Sequence, residues 1–159
     1  VFIRVYVIIY SKEELAMKQL PDETSKRFVA VLNKKMDIGR TVNVLGHLSV
    51  GLSDLLSEGD AVYVDYIDQD KNLHKNISHY PFIVLKADNS NKIRKVREEA
   101  IAQGITFTDF TDTMTEGGST VQQEVTASTP EADLNYLGIC LFGETEALRA
   151  ITKKFSLYK

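Results

Sequence analysis

Apolar and polar positions change period along this chain in a way that marks out its elements. Arg27 to Asn33 carries Phe28, Val29, Val31 and Leu32 on both faces, as a strand covered on both sides would. A charged loop, KKMDIGR, follows. From Asp37 or the Ile38-Gly39 turn the period becomes helical, with Val42, Leu45, Leu48, Leu52 and Leu55 on one face, until Gly59-Asp60 ends the unit. Gly46, Ser49, Gly51 and Ser53 are small and would let this helix lie close to a sheet or to a second subunit. Ala61 to Asp68 alternates, with Val62, Val64 and Tyr66 on one face, as in a half-buried strand, and DQDKN is a turn cluster. Tyr80 to Ala87 is a buried strand with Pro81 at its entrance.

Asn89 can cap a helix from Asn91 to Gln103, stopped by Gly104. Its Lys92, Arg94, Lys95 and Arg97 near Glu98 and Glu99 read as a solvated face with favourable charge pairs, ahead of a nucleic-acid surface. Ile105 to Thr111 is a strand, which a right-handed crossover would set parallel to the Tyr80–Ala87 strand. The loop DTMTEGGST, a helix capped by Ser119, and a helical turn at Thr129-Pro130-Glu131 follow. Tyr136 to Phe142 is the last buried strand, broken by Gly143; Glu144 to Lys154 is the final helix, and FSLYK is a short edge strand or tail.

The opening residues stand apart. VFIRVYVIIY reads as a strand or an apolar remnant, and Ser11 to Glu14 as a capping box for a helix from Ser11 to Leu20. The apolar run is too short for a bilayer, which takes about 20 residues, so no membrane association is expected. Two readings stand: the first sixteen residues are an appendage, or they are an edge strand and helix. The division is an N-terminal extension over 1–25 and one domain over 26–159, with no repeat or linker.

Composition narrows the classes. A 159-residue chain buries about 68–70% of its unfolded surface and folds without disulfide or metal. Its 43% hydrophobic and 26% charged content is that of an ordinary globular protein. The net charge of −3 supplies no global field for nucleic acid, so any tRNA contact needs a local patch. The one cysteine, Cys140, sits in LGICLF and reads as a buried, inert thiol; its solitude fits a cytoplasmic setting.

Ligands of open α/β sheets bind beyond the carboxyl ends of the strands. Two polar clusters fall there: Lys34, Lys35 and Arg40 after the first strand, and Asp109, Thr111, Asp112, Thr113 and Thr115 at and after the end of the Ile105–Thr111 strand. If those strands are parallel neighbours, a lysine faces a carboxylate across one crevice, holding both charged, and the pair could orient a water or bind a polar ligand. The competing reading is a structural ion pair. His47, on a mostly apolar helix face, reads as a hydrogen-bonded core or interface residue before a catalytic one. His47, His74 and His79 lack metal-ligand spacing, and no P-loop, GxGxxG or GxSxG occurs, so no cofactor or metal is expected.

Taken together, VLNKKM, IGRTVNVLGHLSVGL, FIVLKADNSNKIRKVREEA, AQGITFTDFTD, LGICLFG and ALRAITKKFSL resemble the type II peptidyl-tRNA hydrolases over most of Lys26 to Lys159. The string Gly39, Asn43, His47, Gly51 at four-residue intervals looks like a branch of uncharacterised proteins beside those enzymes. The resemblance implies a three-layer α/β/α fold with a mixed, mainly parallel sheet, and a homodimer or other homo-oligomer. It matches Lys34 to the hydrolases' lysine, Arg40 to a basic loop residue, His47 to a helical histidine and Asp112, rather than Asp109, to their carboxylate. Lys34, Asp112 and His47 are then the catalytic candidates, with Arg40, Asn43, Thr113 and Thr115 as binding residues. The loop here is shorter and carries Asp37, Val44 stands where a glutamine is expected, and Met114 and Thr115 replace a glycine and an arginine. Those departures weaken the phosphate grip that tRNA needs. The implied activity is hydrolysis of an ester or acyl-linked substrate; the alternative is a non-enzymatic module that binds a small anion or a protein in the same crevice.

Overall fold

A computed structural model describes residues 19–159. The chain runs through β1 (Lys26–Asn33), α1 (Ile38–Leu55), β2 (Tyr63–Ile67), β3 (Leu73–Ser78), β4 (Phe82–Ala87), α2 (Ser90–Gln103), β5 (Thr106–Thr111), a 3₁₀ turn at Asp112–Met114, α3 (Ser119–Ala127), a second 3₁₀ turn at Glu131–Asp133, β6 (Tyr136–Glu144), α4 (Thr145–Thr152) and β7 (Ser156–Leu157). The strand and helix expected over residues 1–18 lie outside the described residues.

The main sheet has five strands in the order β5-β6-β1-β4-β7. Among the described residues only β1 and β4 pair in parallel; β6 is antiparallel to both β1 and β5, and β7 to β4. The expectation of a mainly parallel sheet is therefore corrected to a mixed, mainly antiparallel one. The crossover from β4 through α2 does keep β5 pointing the same way as β4, but β6 is inserted between β5 and β1. A strand reached after a long insert can enter the middle of a sheet, and the antiparallel partner it brings is invisible in local periodicity.

Both faces of the sheet are covered. Val29 and Val31 on β1 join Ile93, Val96 and Ala100 of α2 and Leu148 and Ile151 of α4 in one core. Phe28, Ala30 and Leu32 join Val44, Leu48 and Leu52 of α1 in the other. This explains the unbroken apolar run of β1, as every residue from Val29 to Leu32 is at most 2% exposed. On α1 the buried residues are Thr41, Val44, Leu48 and Leu52, while Val42 and Leu55 are exposed, so the buried stripe is rotated from the one expected. Cys140 is fully buried in the α1-side core, and loss of hydration pushes its thiol up to about 12.

Caps set the helix ends. The Asp37 carboxylate accepts from the Arg40 N–H at 3.0 Å, and Asn89 Oδ1 from the Lys92 N–H at 3.1 Å. Gly104 ends α2 in the left-handed region (φ 63°), its N–H turned back to Ala100 and Ile101, a conformation that a side chain would strain.

The segment Ala61 to Asp68 does not extend the main sheet. Among the described residues Tyr63–Ile67 pairs only with Leu73–Ser78, as a separate antiparallel hairpin, and both strands are mostly exposed. The sequence marks no strand over Leu73–Ser78, because four of its six residues are polar and Leu73 and Ile77 are too few to stand out as a face. No helix among the described residues is long and apolar enough to cross a membrane.

Candidate functional site

The parallel directions of β1 and β4 bring their carboxyl ends to one side of the sheet, where α1 and α2 begin. Asn33, the last residue of β1, is buried; its Oδ1 accepts from the Lys35 N–H at 3.1 Å and its Nδ2 donates to the Tyr136 carbonyl at 3.4 Å. Around it opens a cleft of about 450 Å³ walled by Asn33, Lys35, Asp37, Arg40, Asn89 and Asn135 among others. A second groove of about 380 Å³ lies between α1 and the loop after β5, lined by Asp37, Gly39, Arg40, Asn43, Val44 and Thr115. Asp37 and Arg40 border both, so the two spaces adjoin at these two residues. The Arg40 backbone N–H holds the Asp37 carboxyl below the usual carboxylate range. The lining is amide-rich, with one carboxylate already engaged in capping and the cations of Lys35 and Arg40 available. Such a set can grip an anion or a polar head group by hydrogen bonding.

Residues 26–159 match the family model described as "Protein of unknown function (DUF2000)". The chain belongs to that family. A solved structure of a protein of unknown function from Agrobacterium tumefaciens strain C58, Atu0240, is similar to this DUF2000 chain with a TM-score of 0.73 and 19% identity, over 85% of this chain and 98% of that one. At that identity the likeness carries the fold alone. No curated protein matches the chain in sequence.

Within the DUF2000 fold, the sequence-selected residues separate into two groups. Arg40, Asn43 and Thr115 come together in the second groove. Thr113 does not join them: its hydroxyl sits 2.8 Å from those of Thr111 and Thr126, tying α3 to the end of β5. His47 is exposed, not a core residue, with its ring 5.8 Å from that of Phe110. Asp112 Oδ1 accepts from the Asn135 N–H at 3.2 Å, while the Asp112 N–H donates to the Asn135 carbonyl at 3.0 Å. Lys34 does not face Asp112. Its Nζ lies 2.7 Å from Asp88 Oδ1. The reason is strand order: β4 neighbours β1, so its carboxyl end presents Asp88 first, while β6 separates β1 from β5. Asp109, the other carboxylate of the second cluster, is bound at 2.6 Å by Arg97 on α2.

Asn33, Asn89 and Asn135 were not singled out as site residues by the sequence. Asn89 was legible as a cap, and a polar residue closing an apolar strand was the available signal for Asn33. Asn135 had none. Asp88 is a further residue of consequence that the sequence does not single out. Hydrogen bonds from Lys34 and Lys92 hold its carboxyl down to about 2. A depressed carboxylate stabilises the fold fully above its unfolded value, near 4, and that contribution fades as pH falls through about 2. Asp88→Asn should therefore lose less stability than the parent between those two pH values. Thermal melts across that interval check this, and high salt should shrink the difference because all three groups are exposed.

Proposed function

We propose that this DUF2000 protein binds a small anionic ligand in the paired clefts around Arg40. The observation that supports this reading is the meeting of Arg40, Asn43 and Thr115, from α1 and from the loop past β5, in one groove, with Arg40 also lining the larger cleft. A planar guanidinium recognises carboxylate or phosphate through two parallel N–H donors, and the neighbouring side-chain amides supply further donors. Binding to the folded state alone raises stability by about 2.7 kcal/mol at a hundredfold excess over Kd. A panel of inorganic phosphate, pyrophosphate and short carboxylates should therefore include a member that raises the melting temperature, and Arg40→Ala should remove that rise. A panel with no effect, or an equal rise in the variant, rejects the reading.

Hydrolysis of an ester or acyl-linked substrate is the second reading. It is favoured by Asp112, whose carboxylate is held by the Asn135 N–H and whose carbonyl accepts from the Thr115 hydroxyl at 2.6 Å, beside the groove. In it Asp112 orients water, Lys34 leaves Asp88 to stabilise developing negative charge, and Arg40 and His47 position the substrate. Kinship with type II peptidyl-tRNA hydrolases, tRNA as partner and a cytoplasmic location belong to this reading and rest on the order of the shared segments. Peptidyl-tRNA or a simple acyl ester should then be cleaved, and Asp112→Asn should abolish turnover without lowering the melting temperature. Turnover that survives Asp112→Asn sinks it.

A further inference from the structure

The outer edge of β5 carries no strand among the described residues: β5 ends the main sheet and pairs only with β6. It holds neither lysine nor proline, two residue types that blunt an open edge, and its one charge, Asp109, is engaged by Arg97. Above this edge lies α1. Thr108 Oγ1 donates to the Leu48 carbonyl at 2.8 Å, a Cβ on Gly51 would stand 3.4 Å from Thr108 Cγ2, and His47 lies over Phe110. On the next strand inward, Leu48 and Val44 meet Gly138 of β6. The helix axis thus runs above the boundary between β5 and β6, antiparallel to β5. At about 100° per residue, Asn43, His47, Gly51 and Asp54 line the flank of α1 that overlooks the open edge.

We infer that a second copy of this chain docks here, β5 against β5 in antiparallel pairing about a twofold axis perpendicular to the sheet. The spacing fits. The two α1 helices would lie about two strand spacings apart, roughly 10 Å, which is the distance at which helices pack. Gly51 leaves the flank free of bulk at the point of closest approach. With the axis near Thr108, Phe110 of one copy opposes Thr106 of the other, and His47 comes opposite Asp54 of the second copy. Both are exposed and neither makes an ion pair within the described residues. The pairing is isologous, so the histidine–carboxylate contact occurs twice. Asn43 belongs to this flank and to the groove with Arg40, so the second copy would border the groove as well. The inference does not depend on what that groove binds.

Sedimentation at tens of micromolar should give twice the 17.9 kDa chain mass. His47→Asp sets like charges against each other and should weaken the dimer at least tenfold; His47→Asp with Asp54→Lys should restore it. Amides of Thr106–Phe110 should exchange more slowly as concentration rises. A monomer at every concentration overturns the inference. So does a dimer that ignores the charge swap, or one whose β5 amides exchange as fast as in the dilute sample.

Discussion

Gly138→Val should lower the unfolding free energy by about 3 kcal/mol, the upper part of the range for overpacking a filled core. Gly138 sits in β6 beneath α1, paired across the strands with Leu32 and Phe110. Even the Cβ of an alanine there would come within 2.8 Å of Leu32 Cδ2, 2.9 Å of Leu48 Cδ1 and 3.2 Å of Val44 Cγ1. Those leucines are packed on every side, so they cannot swing away, and relief has to come from lifting α1 off the sheet. Gly138→Ala should accordingly cost about 1–2 kcal/mol by the same route. Urea unfolding measures both. The cause is separable: Leu48→Ala alone should cost about 2–5 kcal/mol, but combined with Gly138→Ala the total should fall short of the sum, since one change opens the space that the other fills. Strict additivity would show that the close approach of helix and strand is not what makes glycine necessary. Because Arg40 and Asn43 ride on α1, the same displacement should also loosen the groove they share with Thr115, and the anion-induced rise in melting temperature should shrink in Gly138→Ala.

That glycine shows where the sequence stops being informative. In YLGICLF it looks like one more member of an apolar run, and its role exists only because α1 crosses β6 at that residue. Local periodicity and cap residues located α1, α2, α4 and the four longest sheet strands, each of which buries a stripe or a face; α3 buries no residue, and Ser119, read as its cap, is its first helical residue, with Gly118 at the cap position. Periodicity misjudged the stripe of α1 by a fraction of a turn: Val42 and Val44 both fit a helical spacing, and only the position of the sheet chooses Val44. It could not see strand order. β6 enters between β1 and β5 after twenty-odd residues of insert, which is why Lys34 meets Asp88 and not Asp112. The hairpin partner β3 has only Leu73 and Ile77 as apolar positions, both exposed, too few to mark a strand. Of the residues singled out from the sequence, Arg40, Asn43 and Thr115 share a groove. Asn33 and Asn135 enter through tertiary placement, one buried by β6 and the other carried there by a loop.

Asp109→Ala should destabilise the protein by about 2 kcal/mol, whereas Asp112→Asn should leave stability within about 0.5 kcal/mol of the parent. The two carboxylates lie three residues apart after the same helix, and periodicity does not separate them. Their surroundings do. Asp109 is 19% exposed and accepts from Arg97 Nε at 2.6 Å; Arg97, 31% exposed, also lies over the rings of Phe107 and Tyr136. Removing the acid strands a half-buried guanidinium. That costs less than the 3–5 kcal/mol of a fully buried broken pair and more than the loss of a surface pair. Asp112 is exposed and its carboxylate accepts one backbone N–H, which an asparagine oxygen can also accept. Chemical denaturation of the two variants tests the contrast directly. The consequence reaches the cleft, because Arg97 and Arg94 share the Tyr136 ring and Arg94 also binds Glu131 and the carbonyl of Leu134, which leads into Asn135. Asp109→Ala should thus weaken anion binding through the Asn135 wall, whereas a loss of acyl-ester turnover in Asp112→Asn with stability intact can be assigned to the Asp112 carboxylate itself.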